Sequence, residues 1–491
     1  MIAYNTNTYF IIFLPAVILL YQLFPKKYRY LTLLTASVVF FALISKFLII
    51  WALLAVLISF FGGLAIDRTD GPKRKAVMYG SLAALVGMLI AFKYTGVFAK
   101  SVNIIAPIGI SFYTLQAVGY ILDIYWKRIT HEKNILKYAL FMLFFPTIME
   151  GPICRWSDIS EKMFNGEPVN GESFSQGAMR IGWGLFKRML IADRLGVAVN
   201  NLYKPDFVYD GPVILFTMIA TTIHLYMEFS GTIDIVIGSA RIFNIELPEN
   251  FRQPFFAENA AEFWRRWHIT LGVWLKNYVF YPVSTSTLVK KWNKFGKKKL
   301  NKYITGVVTS AMALLPVWLI NGIWHGPKIP YFMYGVYYFT VLLLEVIAEP
   351  LSKSLQKKAT AKGRMPLLKG ARIFRTWIVI IVGETLFRAE TLSQFGLMMI
   401  SLFRSPVKDG MVCRIMELGL DAGDYTVIVL GMIIVFLVDI MLEKDPDLFK
   451  RIASLPTYKR WALYYAVILS IVVFGAYGTG YQAAELIYAG F

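Results

Sequence analysis

The chain has 491 residues, of which 57% are hydrophobic and 17% charged, whereas globular proteins contain about 45–50% apolar and about 25% charged residues. A soluble protein of this size would not bury so much apolar surface, so lipid is its expected solvent. Lys and Arg exceed Asp and Glu by 20, but these basic residues form short clusters between long apolar runs, as in cytoplasmic loops, which argues against nucleic acid as a partner.

Apolar stretches follow one another along the chain and predict an all-α polytopic membrane protein. They lie near residues 9–24, 31–45, 47–66, 76–98, 104–125, 136–149, 178–200, 212–230, 304–324, 330–348, 373–388, 425–442 and 461–479. Several are shorter than the roughly 20 residues that a spanning helix needs, so we expect about 11–12 spans together with re-entrant helices. The first stretch has no basic start and no small-residue cleavage site, so no cleavable signal peptide is predicted.

Clusters of basic residues between these stretches are predicted to face the cytoplasm. They are Asp67–Lys75, Lys127–Lys137, Lys290–Lys302, Lys353–Arg375 and Lys444–Arg460. Residues 290–302 contain seven lysines and no acid, which favours an anchor beside anionic lipid. The alternative is a docking patch for an acidic carrier or a nucleotide-bearing donor. No internal repeat is evident, which argues against transporter folds built from two related halves.

The two cysteines, Cys154 and Cys413, lie far apart and have no CxxC or Cys/His spacing. This excludes a disulfide framework and a thiolate metal cluster, and both residues are predicted to be packed core thiols. Carboxylates and histidines at ligand spacing are also lacking, so no metal site is predicted.

Two of the four histidines have simple interpretations. His131 lies between Thr130 and Glu132 in a charged loop, so we expect a solvated side chain whose replacement changes activity little. His224 lies within an apolar run and is interpreted as a packing residue, with Glu228 four residues later as its alternative partner.

His268 lies in the sequence EFWRRWHITLGVWLKNYVFYP. On one continuous helix it would share a face with Trp264, Leu271, Gly272 and Leu275, and the nearby glycine would leave room for a slender group. On the residues alone, a structural and a functional role for His268 are equally supported.

His325 follows a long apolar stretch and is predicted to end a helix, because Gly326 and Pro327 come directly after it. A titratable ring at an interrupted helix end beside a cavity suits a general base or a proton relay. A structural, hydrogen-bonding histidine is the alternative.

At these residues the chain resembles the membrane-bound O-acyltransferase family, in particular its bacterial branch of alginate O-acetylation and teichoic acid D-alanylation proteins. The matching stretches are PIGISFYTLQAVGYILDIYW (107–126), FFPTIMEGPICR (144–155), FSG with Asp234 and IGSARIF (229–243), LPENFRQPF (247–255), FWRRWHITLGVWLKNYVFYP (263–282) and NGIWHG (321–326).

The resemblance implies one membrane domain, 1–491, with N-terminal helices 1–106, a catalytic core 107–348 containing a transmembrane tunnel, and C-terminal helices 349–491. It makes His325 the catalytic histidine and His268 a second tunnel residue, which would orient the thioester or donate to its carbonyl oxygen. The candidate substrate-binding residues are Trp264, Asn321, Trp324 and Asn277.

The activity implied by the resemblance is transfer of a short acyl group, foremost acetyl, from a cytoplasmic thioester to hydroxyls of a cell-surface polysaccharide. The donor would be acetyl-CoA or an acyl carrier protein, and no permanently bound cofactor is expected. An extracytoplasmic partner of the SGNH-hydrolase-like type would complete delivery, and the protein would lie in the bacterial cytoplasmic membrane.

Two alternatives accompany this interpretation. Within the family, the alternative is D-alanyl transfer to teichoic acid. The alternative from another class is a transporter or flippase without covalent chemistry. Isolated acids in apolar surroundings are typical of such proteins as well. These acids are Asp123, Asp193, Glu228, Asp234, Glu345 and Glu384.

Overall fold

The computed structural model describes residues 4, 6–98, 105–204, 211–404 and 415–477, which form helices and no strands. The predicted all-α class is therefore confirmed. Cys154 is buried, as predicted. Cys413 lies outside the described residues.

The chain divides into two compact units, of which the first comprises Met1–Gly196, Leu225–Glu249 and Gly423–Phe491. Its helices are Tyr9–Phe13, Leu14–Leu23, Lys26–Tyr28, Arg29–Ser45, Lys46–Leu48, Ile49–Arg68, Gly71–Phe98, Ile110–Tyr125, Ile135–Leu143, Trp156–Met163, Gly171–Phe186, Lys187–Ala192, Ala422–Lys444, Leu448–Ala453 and Thr457–Phe474. Three helices contribute residues to both units, namely Asp193–Leu202, Gly211–Ile242 and Ala422–Lys444.

The second unit comprises Val197–His224 and Asn250–Ala422. Its remaining helices are Pro254–Phe256, Ala260–Arg266, Ile269–Leu275, Lys276–Phe280, Tyr281–Ser284, Thr287–Lys299, Lys302–His325, Ile329–Ile347, Glu349–Ala361, Met365–Arg388 and Leu392–Arg404. The division of the chain at residues 106 and 348 stays a prediction.

Six helical segments of the described residues are long and apolar enough to cross a membrane. They are Lys26–Arg68, Gly71–Gly96, Gly211–Ile242, Lys302–His325, Ile329–Ile347 and Ala422–Lys444. This is fewer than the predicted spans because several apolar stretches form short helices. Ile110–Tyr125 has 16 residues, about 24 Å at 1.5 Å per residue, against a hydrocarbon core of about 30 Å.

The first unit buries a network of charged side chains. Arg188, only 1% exposed, donates to Glu228 at 2.8 Å, and Lys187 forms an ion pair with Asp234 at 2.6 Å. Glu228, which was the alternative partner for His224, therefore forms an ion pair with Arg188. Isolated buried charges are costly, so this mutual pairing explains how acids that suggested a transporter are accommodated in the fold.

The prediction that His131 is solvated is wrong. Its side chain is buried, its ring lies 4.7 Å from that of Phe60, and its Nδ1 is 3.2 Å from the Tyr120 hydroxyl. That hydroxyl accepts a hydrogen bond from the Glu132 backbone N–H, so its own proton is donated to Nδ1. Burial lowers the pKa of His131, which keeps the ring neutral and able to accept. The charged neighbours along the chain concealed these contacts.

We therefore expect His131→Ala to destabilise the protein by about 1–3 kcal/mol, because it leaves a void and removes the acceptor of the Tyr120 hydroxyl. Thermal unfolding of the purified protein in detergent measures this effect as a lowered Tm. Lys133→Ala, at an exposed position of the same loop, is the matched control. Equal Tm values for the two variants would contradict the structural role.

Candidate functional site

The segment around His268 forms two short helices, Ala260–Arg266 and Ile269–Leu275, so the predicted continuous helix is wrong. His268 lies between them with a φ of 44°, in the left-handed region. This conformation is uncommon for a residue with a side chain and is costly. Such strain persists only where surrounding contacts hold it, and it is concentrated at functional sites.

The segment at residues 250–252 supplies these contacts. The Arg252 N–H donates to the Arg266 carbonyl at 2.9 Å, and the Ile269 N–H donates to the Asn250 carbonyl at 3.0 Å. These bonds satisfy backbone groups that a continuous helix would have paired internally. Hydrogen bonds to another segment therefore replace the helical backbone hydrogen bonds that are lost at His268.

The side chain of Asn250 determines which nitrogen of His268 carries the proton. Asn250 Oδ1 accepts hydrogen bonds from the Thr270 N–H at 3.1 Å and from the Thr270 hydroxyl at 2.9 Å. The same oxygen is 3.2 Å from His268 Nδ1, so Nδ1 is the donor of that pair. In the neutral ring, Nε2 then has the lone pair and acts as a hydrogen-bond acceptor.

The His268 ring is 3% exposed, and it lies outside the six candidate spanning segments. Burial lowers the pKa of His268 well below its ordinary value. The ring is therefore neutral at physiological pH, which is the state that the hydrogen bond to Asn250 requires.

His325 is the last residue of helix Lys302–His325, as predicted. Gly326 follows with a φ of 142°, a backbone conformation that residues with side chains rarely adopt. Gly322 lies three residues before His325 in the same helix. A Cβ added there would lie 2.5 Å from the carbonyl oxygen of Tyr331 in helix Ile329–Ile347. Glycine at 322 therefore lets the two helices approach closely beside the histidine.

The ring of His325 is 4% exposed and is surrounded by aromatic rings. Their centroids lie between 4.8 and 6.0 Å from its own and belong to Trp324, Tyr331, Tyr334 and Phe387. The two tyrosines come from helix Ile329–Ile347, and Phe387 comes from helix Met365–Arg388. His325 is therefore a packed side chain at the meeting point of three helices.

A cavity of about 1180 Å³ lies within the second unit, and His268 is part of its wall. The residues predicted to share a face with His268 also line it, although the helix that was to align them is broken. They are Trp264, Leu271, Gly272 and Leu275. Asn321 lines the same cavity, but His325, which was expected beside a cavity, does not.

Charged side chains line the same cavity together with apolar ones. The apolar group includes Leu314, Val317, Trp318 and Leu342, and the charged group includes Arg265, Lys276, Glu345, Arg372 and Arg375. A mostly apolar cavity with a few polar and cationic groups suits a ligand that has a slender apolar part and an anionic part.

Among the cavity residues that the structure describes, Trp264 and Asn321 each have a buried polar atom without a hydrogen-bond partner. These atoms are the indole nitrogen of Trp264 and the amide oxygen of Asn321. Buried polar groups are normally paired, so one donor and one acceptor left open at a cavity indicate contacts with a bound molecule. Trp264 and Asn321 therefore stay candidates for substrate binding.

Trp324 lies next to both histidines, since its ring centroid is 6.1 Å from that of His268 and 4.9 Å from that of His325. The structure therefore brings the two predicted histidines and Trp324 into one cluster. Asn277 is in helix Lys276–Phe280 and is not among the residues that line the cavity.

Two further residues belong to this site although the sequence did not single them out as site residues. Asn250 orients His268, and the only indication of it was an asparagine within the LPENFRQPF stretch. Glu384, 1% exposed, accepts a hydrogen bond at 3.2 Å from Tyr334, whose ring packs against His325. A single acid in an apolar stretch was the signal for Glu384.

The model of the MBOAT, membrane-bound O-acyltransferase family matches residues 127–387. This range includes both histidines, Asn250, Glu384 and Phe387.

Three relatives show which named activities the chain is similar to. The probable alginate O-acetylase AlgI of Pseudomonas fluorescens is 29% identical over 404 residues, which cover 82% of this chain and 75% of the relative. The peptidoglycan O-acetyltransferase of Helicobacter pylori is 30% identical over 443 residues, covering 79% and 77%. The teichoic acid D-alanyltransferase of Bacillus subtilis is 28% identical over 251 residues, covering 49% and 59%.

Proposed function

Since the chain belongs to the membrane-bound O-acyltransferase family, we propose that it moves an acetyl group from a cytoplasmic thioester to hydroxyl groups of a cell-surface polysaccharide. Relatives named O-acetylases or O-acetyltransferases match about four-fifths of the chain, whereas the D-alanyltransferases match 49% and 64% of it. This difference favours acetyl over D-alanyl as the transferred group. Membership of an acyltransferase family excludes the alternative of a transporter without covalent chemistry.

The observation that carries the proposal is the pair of buried histidines that both lie next to Trp324, since one of them, His268, also lines the cavity. A hydroxyl is a poor nucleophile at neutral pH, and a neutral imidazole activates it by accepting its proton during attack. The acceptor oxygen forms a bond to the thioester carbonyl carbon, the carbon–sulfur bond breaks, and the thiolate leaves and takes up a proton. The buried site excludes water, which would otherwise hydrolyse the thioester.

His325 is the proposed base, because its position favours the cation that a base becomes. It ends a helix of 24 residues, where the negative end of the helix dipole stabilises a positive charge. The helix end therefore favours the protonated ring that forms at His325 during attack.

His268 is proposed to orient the reactants. Its Nε2 accepts a hydrogen bond, given the contact between Nδ1 and Asn250, so of its two expected roles orientation of the thioester fits better than donation to the carbonyl oxygen. At the cavity wall Trp264 supplies an indole N–H, which can polarise the carbonyl, and Asn321 supplies an amide oxygen, which can accept a hydrogen bond from the substrate. Trp324 lies next to both imidazoles, and Asn277 stays a candidate for contact with another part of the substrate.

The cavity is the proposed site of the donor, which is acetyl-CoA or an acyl carrier protein. A pantetheine arm is slender and amide-rich, and the cationic residues Arg265 and Lys276 on the cavity wall complement its phosphate. No permanently bound cofactor is part of this proposal.

The proposed location is the bacterial cytoplasmic membrane, because an activated thioester is made in the cytoplasm and the polysaccharide lies outside. The protein is a multi-pass membrane protein in which the acyl group crosses the bilayer. An extracytoplasmic partner of the SGNH-hydrolase-like type is proposed to complete delivery to the polymer.

Inverted membrane vesicles from the producing bacterium, which expose the cytoplasmic face, test this proposal. With radiolabelled acetyl-CoA, we expect label in the polysaccharide fraction as an ester that mild alkali releases as acetate. Vesicles that contain His325→Gln provide the background. If the polysaccharide is labelled only when a D-alanyl carrier protein is the donor, the transferred group is D-alanyl and not acetyl. If neither donor labels the polysaccharide, both assignments are refuted.

A further inference from the structure

The first unit contains a groove of about 990 Å³ along helices Gly171–Phe186 and Thr457–Phe474. The two helices touch through the Ser175 and Tyr464 hydroxyls, which are 2.6 Å apart. This groove is not part of the histidine site, which belongs to the second unit.

Part of the groove wall is basic. Arg241, Lys450 and Arg460 line it, and Glu172 is the single acid among the lining residues. Arg460 donates one hydrogen bond to a backbone carbonyl and has further N–H groups for a ligand. Lys450 pairs with Asp447, but this pair is exposed and such pairs contribute little, so the ammonium is available to an anion.

Another part of the groove wall is apolar and accessible. Phe174, Trp461 and Ile468 line it and are 49%, 47% and 47% exposed. On helix Thr457–Phe474, Arg460 comes first, Trp461 and Tyr464 follow, and Val467 and Ile468 come last. This order from cation through aromatic rings to aliphatic side chains is the order of a membrane surface from headgroups to acyl chains.

We propose that this groove binds one anionic phospholipid, with its phosphate at Lys450 and Arg460 and an acyl chain along Trp461 and Ile468. The cluster Lys444–Arg460 is predicted to face the cytoplasm, where the membrane leaflet is anionic, and basic pockets between helices on that side suit anionic headgroups. An acidic protein would complement the cations but would leave the apolar wall uncovered. The lipid complements both the basic and the apolar part of the wall.

The test uses the full-length protein reconstituted in nanodiscs of phosphatidylcholine with increasing phosphatidylglycerol, followed by native mass spectrometry in mild detergent. We expect the wild type to retain one phosphatidylglycerol molecule. A Lys450→Gln variant should need about fivefold more of this lipid for the same occupancy, and the double variant Lys450→Gln/Arg460→Gln about 30-fold more. Lys459→Gln is the matched control, because Lys459 is exposed on the same helix and does not line the groove.

Several outcomes would overturn the proposal. Equal loss of lipid in Lys459→Gln would indicate general attraction to a basic surface. Displacement of the lipid by excess inorganic phosphate would indicate a simple anion site to which the apolar wall contributes nothing. If the wild type forms a dimer and no lipid adduct, and the double variant does not dimerise, the groove is occupied by a second copy of the chain and not by lipid.

Discussion

Replacement of His325 by glutamine is expected to lower acyl transfer by about 10²–10⁴-fold, the usual contribution of a positioned general base. Glutamine keeps much of the size and hydrogen-bonding ability of histidine but does not accept the proton of the acceptor hydroxyl. Binding of a non-hydrolysable donor analogue should change within a few-fold, because the base acts on the acceptor. Initial rates of transfer and the Kd of the analogue, measured on the same preparation, separate the two effects.

His325→Ala is the less suitable variant, because the side chain is packed among four rings and alanine would leave a void. The matched control is His224→Gln, which replaces a half-buried histidine on another helix. Its transfer rate and size-exclusion profile should equal those of the wild type. An active His325→Gln would leave His325 a structural residue and assign the base role to His268.

The second large effect is expected at Asn250, which acts through His268. Asn250→Ala removes the acceptor of Nδ1–H and of both Thr270 donors, so the His268 ring loses its fixed tautomer and orientation. We expect transfer to fall by about 10²-fold, as is usual when a reacting group is misplaced by about 1 Å. Steady-state rates at saturating donor measure this loss.

Asn250→Asp distinguishes positioning from simple packing. The aspartate keeps the size and an acceptor oxygen, but its negative charge stabilises the protonated His268 ring and so raises the pKa of His268. Protonated His268 has no free lone pair, so transfer should be lost at low pH and recover as the pH rises through the raised pKa. In the wild type the pKa of His268 is lowered by burial, so its rate should show no such dependence near neutrality. A pH profile of the variant that matches the wild type would contradict the positioning role.

The sequence by itself determined the class of the protein and the end of the His325 helix. Partition of a chain into lipid depends on its apolar content and on the placement of its charges, which are visible along the sequence. The helix ends at Gly326 because glycine and proline act on the backbone locally. The WRRWHI and WHG motifs likewise identified the family before any contact was known.

Only the tertiary structure decided how these residues meet. Helical periodicity predicted one helix through His268, but hydrogen bonds from Asn250 and Arg252, remote in sequence, stabilise a break there. His131 is buried because Tyr120 and Phe60 enclose it, although its sequence neighbours are charged. Such contacts depend on the packing of distant helices, and their energies outweigh the local preferences that a sequence pattern reports.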